Sequence, residues 1–217
     1  NEHNNFYENT NINVNKLHNT SNISLFNFNT IEELTNYAES FVDISLKKTA
    51  NKTVIFDGNI ESKLMIIGEA PGKEEDEKGL PFVGKAGQLL DKMLKAISIA
   101  RNDIYITNVI PWRPPDNRTP TDEEILKCLP ILQKQIEIIK PKLIFLLGLT
   151  AAKAILSTTL SLSKLRGKIH KYKSINMNEE TDVLVSYHPA FLLRSPEFKK
   201  EAWIDLKLLK KKFENEY

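Results

Sequence analysis

Cysteine is almost absent from this 217-residue chain: Cys128 stands alone. No internal disulfide can form from one thiol, and a reducing, cytosolic compartment is expected. Long apolar runs are missing as well. Nothing approaches the roughly 20 residues that a membrane-spanning helix needs, and the polar N-terminus shows no charged-then-apolar leader. Charge of one sign is equally scarce, with 30 Lys and Arg against 28 Asp and Glu for a formal net charge of +2. Such a balance neither announces nor excludes a nucleic-acid partner, because phosphate contacts depend on local clusters of basic residues. What is present, 41% hydrophobic and 27% charged residues, is an ordinary globular composition. The length suits one sizeable domain with its own core, expected to be a monomer.

Eleven of the first thirty residues are Asn, with few aliphatics among them. Such a stretch buries too little apolar surface to offset its ordering entropy, so residues 1–29 are expected to be a mobile tail and 30–217 the domain. Thr30-Ile-Glu-Glu33 is a capping box that opens a helix to about Phe41. Beyond it, strand and helix patterns alternate. Lys63–Gly68 is a short apolar run ending in Gly, then apolar residues fall at helical spacing over Gly87–Ile99. Ile104–Ile110 is β-branched, Thr121-Asp-Glu-Glu124 starts a long helix closed by Pro141, and Leu143–Gly148 is a third strand. Helix follows over Thr150–Leu156, a fourth strand over Val183–Tyr187, and a Lys-rich amphipathic helix over Glu201–Phe213.

Strands separated by helices imply right-handed crossovers, hence an α/β fold whose parallel sheet is covered on both faces. Ligands bind such sheets outside the carboxyl ends of the strands. Three polar, turn-rich segments fall there: Gly68-Glu-Ala-Pro-Gly72, Asn108 to Arg118, and His188-Pro-Ala-Phe-Leu-Leu-Arg194. Any one of them is explained by a plain connecting turn. All three together point to a site.

The motifs Gly68-Glu-Ala-Pro-Gly-Lys-Glu-Glu-Asp76, Gly79-Leu-Pro-Phe-Val-Gly84, Asn108, Arg113-Pro-Pro-Asp-Asn-Arg-Thr-Pro120 and His188-Pro-Ala-Phe-Leu-Leu-Arg194 resemble the family 4 uracil-DNA glycosylases, in order, from about residue 41 to 209. The resemblance implies a three-layer α/β/α sandwich around a four-stranded parallel sheet. It also implies an enzyme of base-excision repair that flips uracil out of single- or double-stranded DNA and hydrolyses its N-glycosidic bond. Phe82 matches the family's stacking aromatic; alone it would pass for a core side chain, but it lies between Pro81 and Gly84 just past an acidic turn. Asn108 matches the uracil-reading Asn, whose amide pairs with O4 and N3–H and mismatches cytosine. His188 matches the donor to uracil O2, a role for which neutral imidazole suffices.

Two glutamates match the family's carboxylates, Glu69 and Glu75. Better-known uracil glycosylases carry Asp one residue after the position of Glu69, where this chain has Ala70 in the uracil pocket. Water orientation is therefore expected of Glu75, with Glu69 supporting the pocket and Glu74 and Asp76 mainly solvated. Arg113, Arg118 and Arg194 are the expected phosphate partners, and Leu192 the expected wedge into the base stack.

The family resemblance implies a [4Fe–4S] cluster on four cysteines, yet the matching positions hold Phe41, Ile44, Trp112 and Cys128. Phe, Ile and Trp cannot ligate iron, so no cluster and no other cofactor is expected, and an apolar plug is expected in its place. A covalently trapping branch of the superfamily carries an inserted Arg-rich loop with a His. No such insertion lies between Pro111 and Pro120, which favours turnover. Two alternatives stay open on the sequence alone: a glycosylase for another deaminated base, and a non-catalytic DNA- or uracil-binding protein of the same fold.

Overall fold

A computed structural model describes residues 28–216, so the expected tail lies outside the described residues except for Phe28 and Asn29. The chain then runs α1 (Ile31–Ser40), α2 (Ser45–Thr49), β1 (Phe56–Gly58), β2 (Leu64–Gly68), α3 (Lys73–Lys78), α4 (Lys85–Ala96) and β3 (Tyr105–Asn108). It continues through α5 (Asp122–Ile139), β4 (Leu143–Leu147), α6 (Leu149–Leu156), α7 (Leu162–Leu165), β5 (His170–Tyr172), β6 (Thr181–Ser186), α8 (Pro189–Arg194) and α9 (Lys199–Glu216). Both expected capping boxes are closed. Thr30 Oγ1 accepts from Glu33 N while Glu33 Oε2 accepts from Thr30 N, and Thr121 and Glu124 repeat the pattern at the start of α5.

The sheet order is β1-β3-β2-β4-β6-β5. Its inner strands β3, β2, β4 and β6 are mutually parallel and buried along their whole length, which is why β2 and β4 appear in the sequence as unbroken apolar runs. The expected sheet of four strands is corrected to six. Two three-residue strands, β1 and β5, add antiparallel edges to β3 and β6. Three residues carry too little alternation for a sequence pattern to register.

Successive residues of the inner strands point to opposite faces, producing two cores. Met65, Ile67, Ile144 and Leu146 pack with α1, α5 and α6 on one side. Leu64, Ile66, Phe145 and Leu147 pack with α4, α8 and α9 on the other. The result is the expected three-layer sandwich. Among the described residues no helix is long and apolar enough to cross a membrane.

Candidate active site

The carboxyl ends of β2, β3 and β6 meet at one edge. Gly68 and Asn108 are register partners on neighbouring strands, and the amide of Gly148 after β4 donates to Ser186 O at 2.9 Å, two residues before His188. Gly68 is glycine for want of space. A Cβ there would lie 2.4 Å from Asn108 Oδ1 and 2.4 Å from Phe82 Cζ, so the amide and the aromatic ring close in over bare backbone. His188 completes the group, its ring 5.5 Å from that of Phe82 and inclined to it by 29°.

His188 caps α8, and Nδ1 accepts from the amide of Ala190 at 3.1 Å. An acceptor at Nδ1 leaves the proton on Nε2, so the tautomer is fixed by the backbone. Burial, and then the charge of Arg194, push its pKa down to about 4. A neutral imidazole with Nε2–H is therefore the resident form at neutral pH, a form that suffices for a hydrogen-bond donor.

Phe82 has φ of +52°, a left-handed conformation that costs a non-glycine residue roughly 1–2 kcal/mol. Glu75 helps to hold it there. Its Oε1 accepts from Val83 N at 2.9 Å and Gly84 N at 2.8 Å, and Oε2 from Gly72 N at 3.1 Å. Both oxygens of this buried carboxylate, the one expected to orient water, thus accept from backbone amides. Glu75 joins the Gly72 turn to the Phe82 turn. Glu69 is partly exposed at the end of β2, where Thr150 Oγ1 donates to its Oε2 at 2.5 Å. Asp76 is corrected too: it is buried and accepts from Asn51 N at 2.8 Å, from Asn51 Nδ2 at 2.6 Å and from Lys52 N at 3.2 Å.

The expected DNA-contacting residues divide. Arg194 is exposed close to His188, and Arg113 is partly exposed with Nε donating to Asn117 Oδ1 at 2.8 Å. Arg118 is engaged instead, both its terminal nitrogens donating to Glu124 at 2.6 and 2.8 Å to tie the loop to the start of α5. Leu192 is 1% exposed in the core beneath α8, whereas its neighbour Leu193 is 45% exposed. On a helix, adjacent residues face about 100° apart, and on this short helix at the surface one of the pair turns to the core and the other to solvent. The residue expected as the wedge, Leu192, is therefore buried in this structure, and the amphipathic spacing of α8 against its core is the signal for that burial. Thr150 was missed as well, although a hydroxyl in the first turn after β4 lies opposite Glu69 by topology.

Comparison with known proteins bears on what this edge is. The model of the uracil DNA glycosylase superfamily matches residues 55–207. The chain belongs to this superfamily. It is 42% identical over 165 residues to a type-4 uracil-DNA glycosylase of Pyrobaculum aerophilum, covering 74% of this chain and 83% of that one. Against the type-4 enzyme of Archaeoglobus fulgidus it is 41% identical over 75% of this chain and 82% of the other. Against that of Thermotoga maritima it is 43% identical over 65% and 72%. Within the superfamily it therefore stands with the type-4 group.

That group implies an iron–sulfur cluster, and the four matching positions do not fit one. Phe41 and Trp112 stack with centroids 5.9 Å apart and planes 10° from parallel. Ile44 and Cys128 are 3% and 0% exposed in the same core, and Lys127 lies 3.9 Å from Asp43, which brings the Ile44 loop beside the Cys128 helix. Burial raises the Cys128 thiol well above its usual range, so it is held protonated. A cluster needs four thiolates; here there is one thiol among hydrocarbon. Trp112 Nε1 also donates to Thr53 Oγ1 at 3.1 Å, pinning the loop from its polar edge.

Proposed function

We propose that this chain excises uracil from DNA, flipping the nucleotide out and hydrolysing its N-glycosidic bond to leave an abasic site. The observation that carries the reading is the slot over Gly68, bounded by the ring of Phe82, the amide of Asn108 and an imidazole whose tautomer the backbone fixes. Phe82 stacks on the base. Asn108 pairs with O4 and N3–H, so cytosine leaves a mismatched amine. Water attacks C1′ of the sugar as the C1′–N1 bond breaks and the bonding pair departs with uracil. His188 Nε2–H donates to O2 where that charge collects, as an oxyanion hole does.

The proton lost by the water goes to a carboxylate, and Glu69 is the one we assign. It lies partly open at the pocket edge with Thr150 orienting one oxygen, whereas both oxygens of Glu75 are bonded to main chain. Ala70 forms the neighbouring wall. Leu193, exposed one turn beyond His188, enters the base stack, and Arg194 and Arg113 contact phosphates. No iron–sulfur cluster takes part, because the stacked Phe41–Trp112 pair and buried Ile44 occupy its ligand positions.

An oligonucleotide with one uracil, single-stranded or paired with guanine, tests the reading when followed by alkaline cleavage. Release of uracil by colourless, iron-free protein in the presence of chelator is the expected result. No release at stoichiometric enzyme leaves a binding protein instead, and about four irons per chain would overturn the apolar plug.

A further inference from the structure

The turn that carries Phe82 is gripped from its other side by a residue that none of the motifs contains. Arg101 lies in a short 3₁₀ turn, Arg101–Asp103, just before β3. Its Nη2 donates to Pro81 O at 2.6 Å and its Nη1 to Phe82 O at 3.1 Å. The guanidinium is itself held fast, with Nε donating to Asp57 Oδ2 at 2.8 Å and Nη1 to Asp91 Oδ1 at 3.0 Å. Glu75 accepts the next two amides, Val83 and Gly84, from the opposite direction. A cation therefore satisfies the carbonyls and an anion the amides of one four-residue turn. Gly87 of α4 packs so closely on this turn that a Cβ there would lie 1.8 Å from Phe82 O.

We infer that Arg101 is a positioning residue for base recognition: by clamping the Pro81 and Phe82 carbonyls it holds the left-handed turn that lays the Phe82 ring over Gly68. The inference rests on the uracil-pocket reading and adds a residue that touches neither base nor water. The physical argument is that a left-handed phenylalanine relaxes to negative φ unless its surroundings hold it. Relaxation swings the ring, and the tight approach of Phe82 Cζ to Gly68 leaves no slack. Only the planar guanidinium fork reaches two carbonyls and two carboxylates at once, so lysine is no substitute.

The test is a double-mutant cycle of Arg101→Ala and Phe82→Ala, with Arg101→Lys as a variant that keeps the charge and the fold. Three quantities are measured below the melting transition of every variant. They are the inhibition constant of free uracil, single-turnover cleavage of a uracil oligonucleotide, and hydrogen exchange at the Val83 and Gly84 amides. We expect Arg101→Ala to weaken uracil binding about tenfold, as loss of one or two charge-assisted hydrogen bonds does. Arg101→Lys should give a smaller loss of the same kind, and exchange at both amides should quicken in each variant. In the Phe82→Ala background, Arg101→Ala should add almost nothing, because the ring it positions is gone. Multiplicative losses, or a lowered Tm with uracil binding and exchange unchanged, would overturn the inference. Wild-type protein that exchanges as expected but releases no uracil would sink the enzyme reading and leave the clamp standing.

Discussion

Two loops of this molecule are fastened to opposite faces of one sheet, and they are fastened by opposite means. The Phe82 turn is held by directional contacts, with Glu75 on its amides and Arg101 on its carbonyls. The Trp112 loop is held by an aromatic stack on Phe41, one indole hydrogen bond to Thr53, and a backbone bond from Val54 N to Pro111 O at 2.8 Å. Hydrogen bonds fix angle and distance, which a ring lying against Gly68 requires. Apolar contact is non-directional and depends mainly on area and volume. A position that supplies only cohesion can thus be refilled by whatever hydrocarbon fits, as Phe41, Ile44 and Trp112 illustrate. A position that aims an atom has fewer solutions. The Phe82 edge retains the polar set shared with the type-4 motifs, and the Trp112 edge does not.

The largest effect expected from breaking this comparison is on stability. Trp112→Ala removes a fully buried indole and its stack and should destabilise the fold by about 3–5 kcal/mol in chemical denaturation. Cleavage per folded molecule should stay within about twofold, since cohesion and aim are separate on this account. A collapse of the rate without loss of stability would join the two regions again. The next effect is the mirror image. His188→Ala should lower single-turnover cleavage by about 10²–10³. Stability should fall by only about 1 kcal/mol, for the lost cap on Ala190. Affinity for uracil-containing DNA at fixed salt should barely change, because phosphate contacts dominate it.

How far the sequence disclosed this arrangement follows the same division. The inner strands and both capping boxes were legible because each is a local signal, a run of apolar residues or a Thr-x-x-Glu spacing. The edge strands were not, being three residues long. Phe82, Asn108 and His188 were singled out by motif, and the fold brings them to one slot. The different surroundings of Glu69 and Glu75 were not legible from spacing, because what distinguishes them is which backbone amides lie within reach. Arg101 carried no signal at all. Its partners Asp57, Pro81, Phe82 and Asp91 are 10 to 44 residues away in sequence and meet only in the folded chain.

A smaller effect separates the two leucines of α8. Leu193→Ala should slow cleavage of duplex substrate about tenfold, roughly 1.4 kcal/mol, because the exposed side chain no longer fills the stack vacated by the base. Single-stranded substrate has no partner strand to hold apart, so its rate should change little. Leu192→Ala should instead lower Tm, as loss of a core side chain does. An equal fall on both substrates for Leu193→Ala would show that the exposed leucine is no wedge.

The smallest effect expected is none at all, and it tests the aim of His188 most directly. An imidazole in the unfolded chain takes its proton near 6.5, and in this site burial and Arg194 lower that to about 4. Between these values the unfolded state binds more protons than the folded one, so stability increases with pH through the window. The contribution is complete above about 6.5 and is lost as pH falls toward about 4. Protonation would also put a proton on Nδ1, which now accepts the Ala190 amide, so the cap and the neutral form disappear together. The cleavage rate should therefore show no inflection from His188 between pH 8 and 6, while Tm declines below 6.5. Arg194→Ala should move the acid limb to higher pH, since the arginine charge is the second cause of the lowered value. A rate that climbs severalfold as pH falls from 8 to 6, lost in His188→Ala, would mean that imidazolium is the donor. The backbone-fixed tautomer would then have no part in the chemistry.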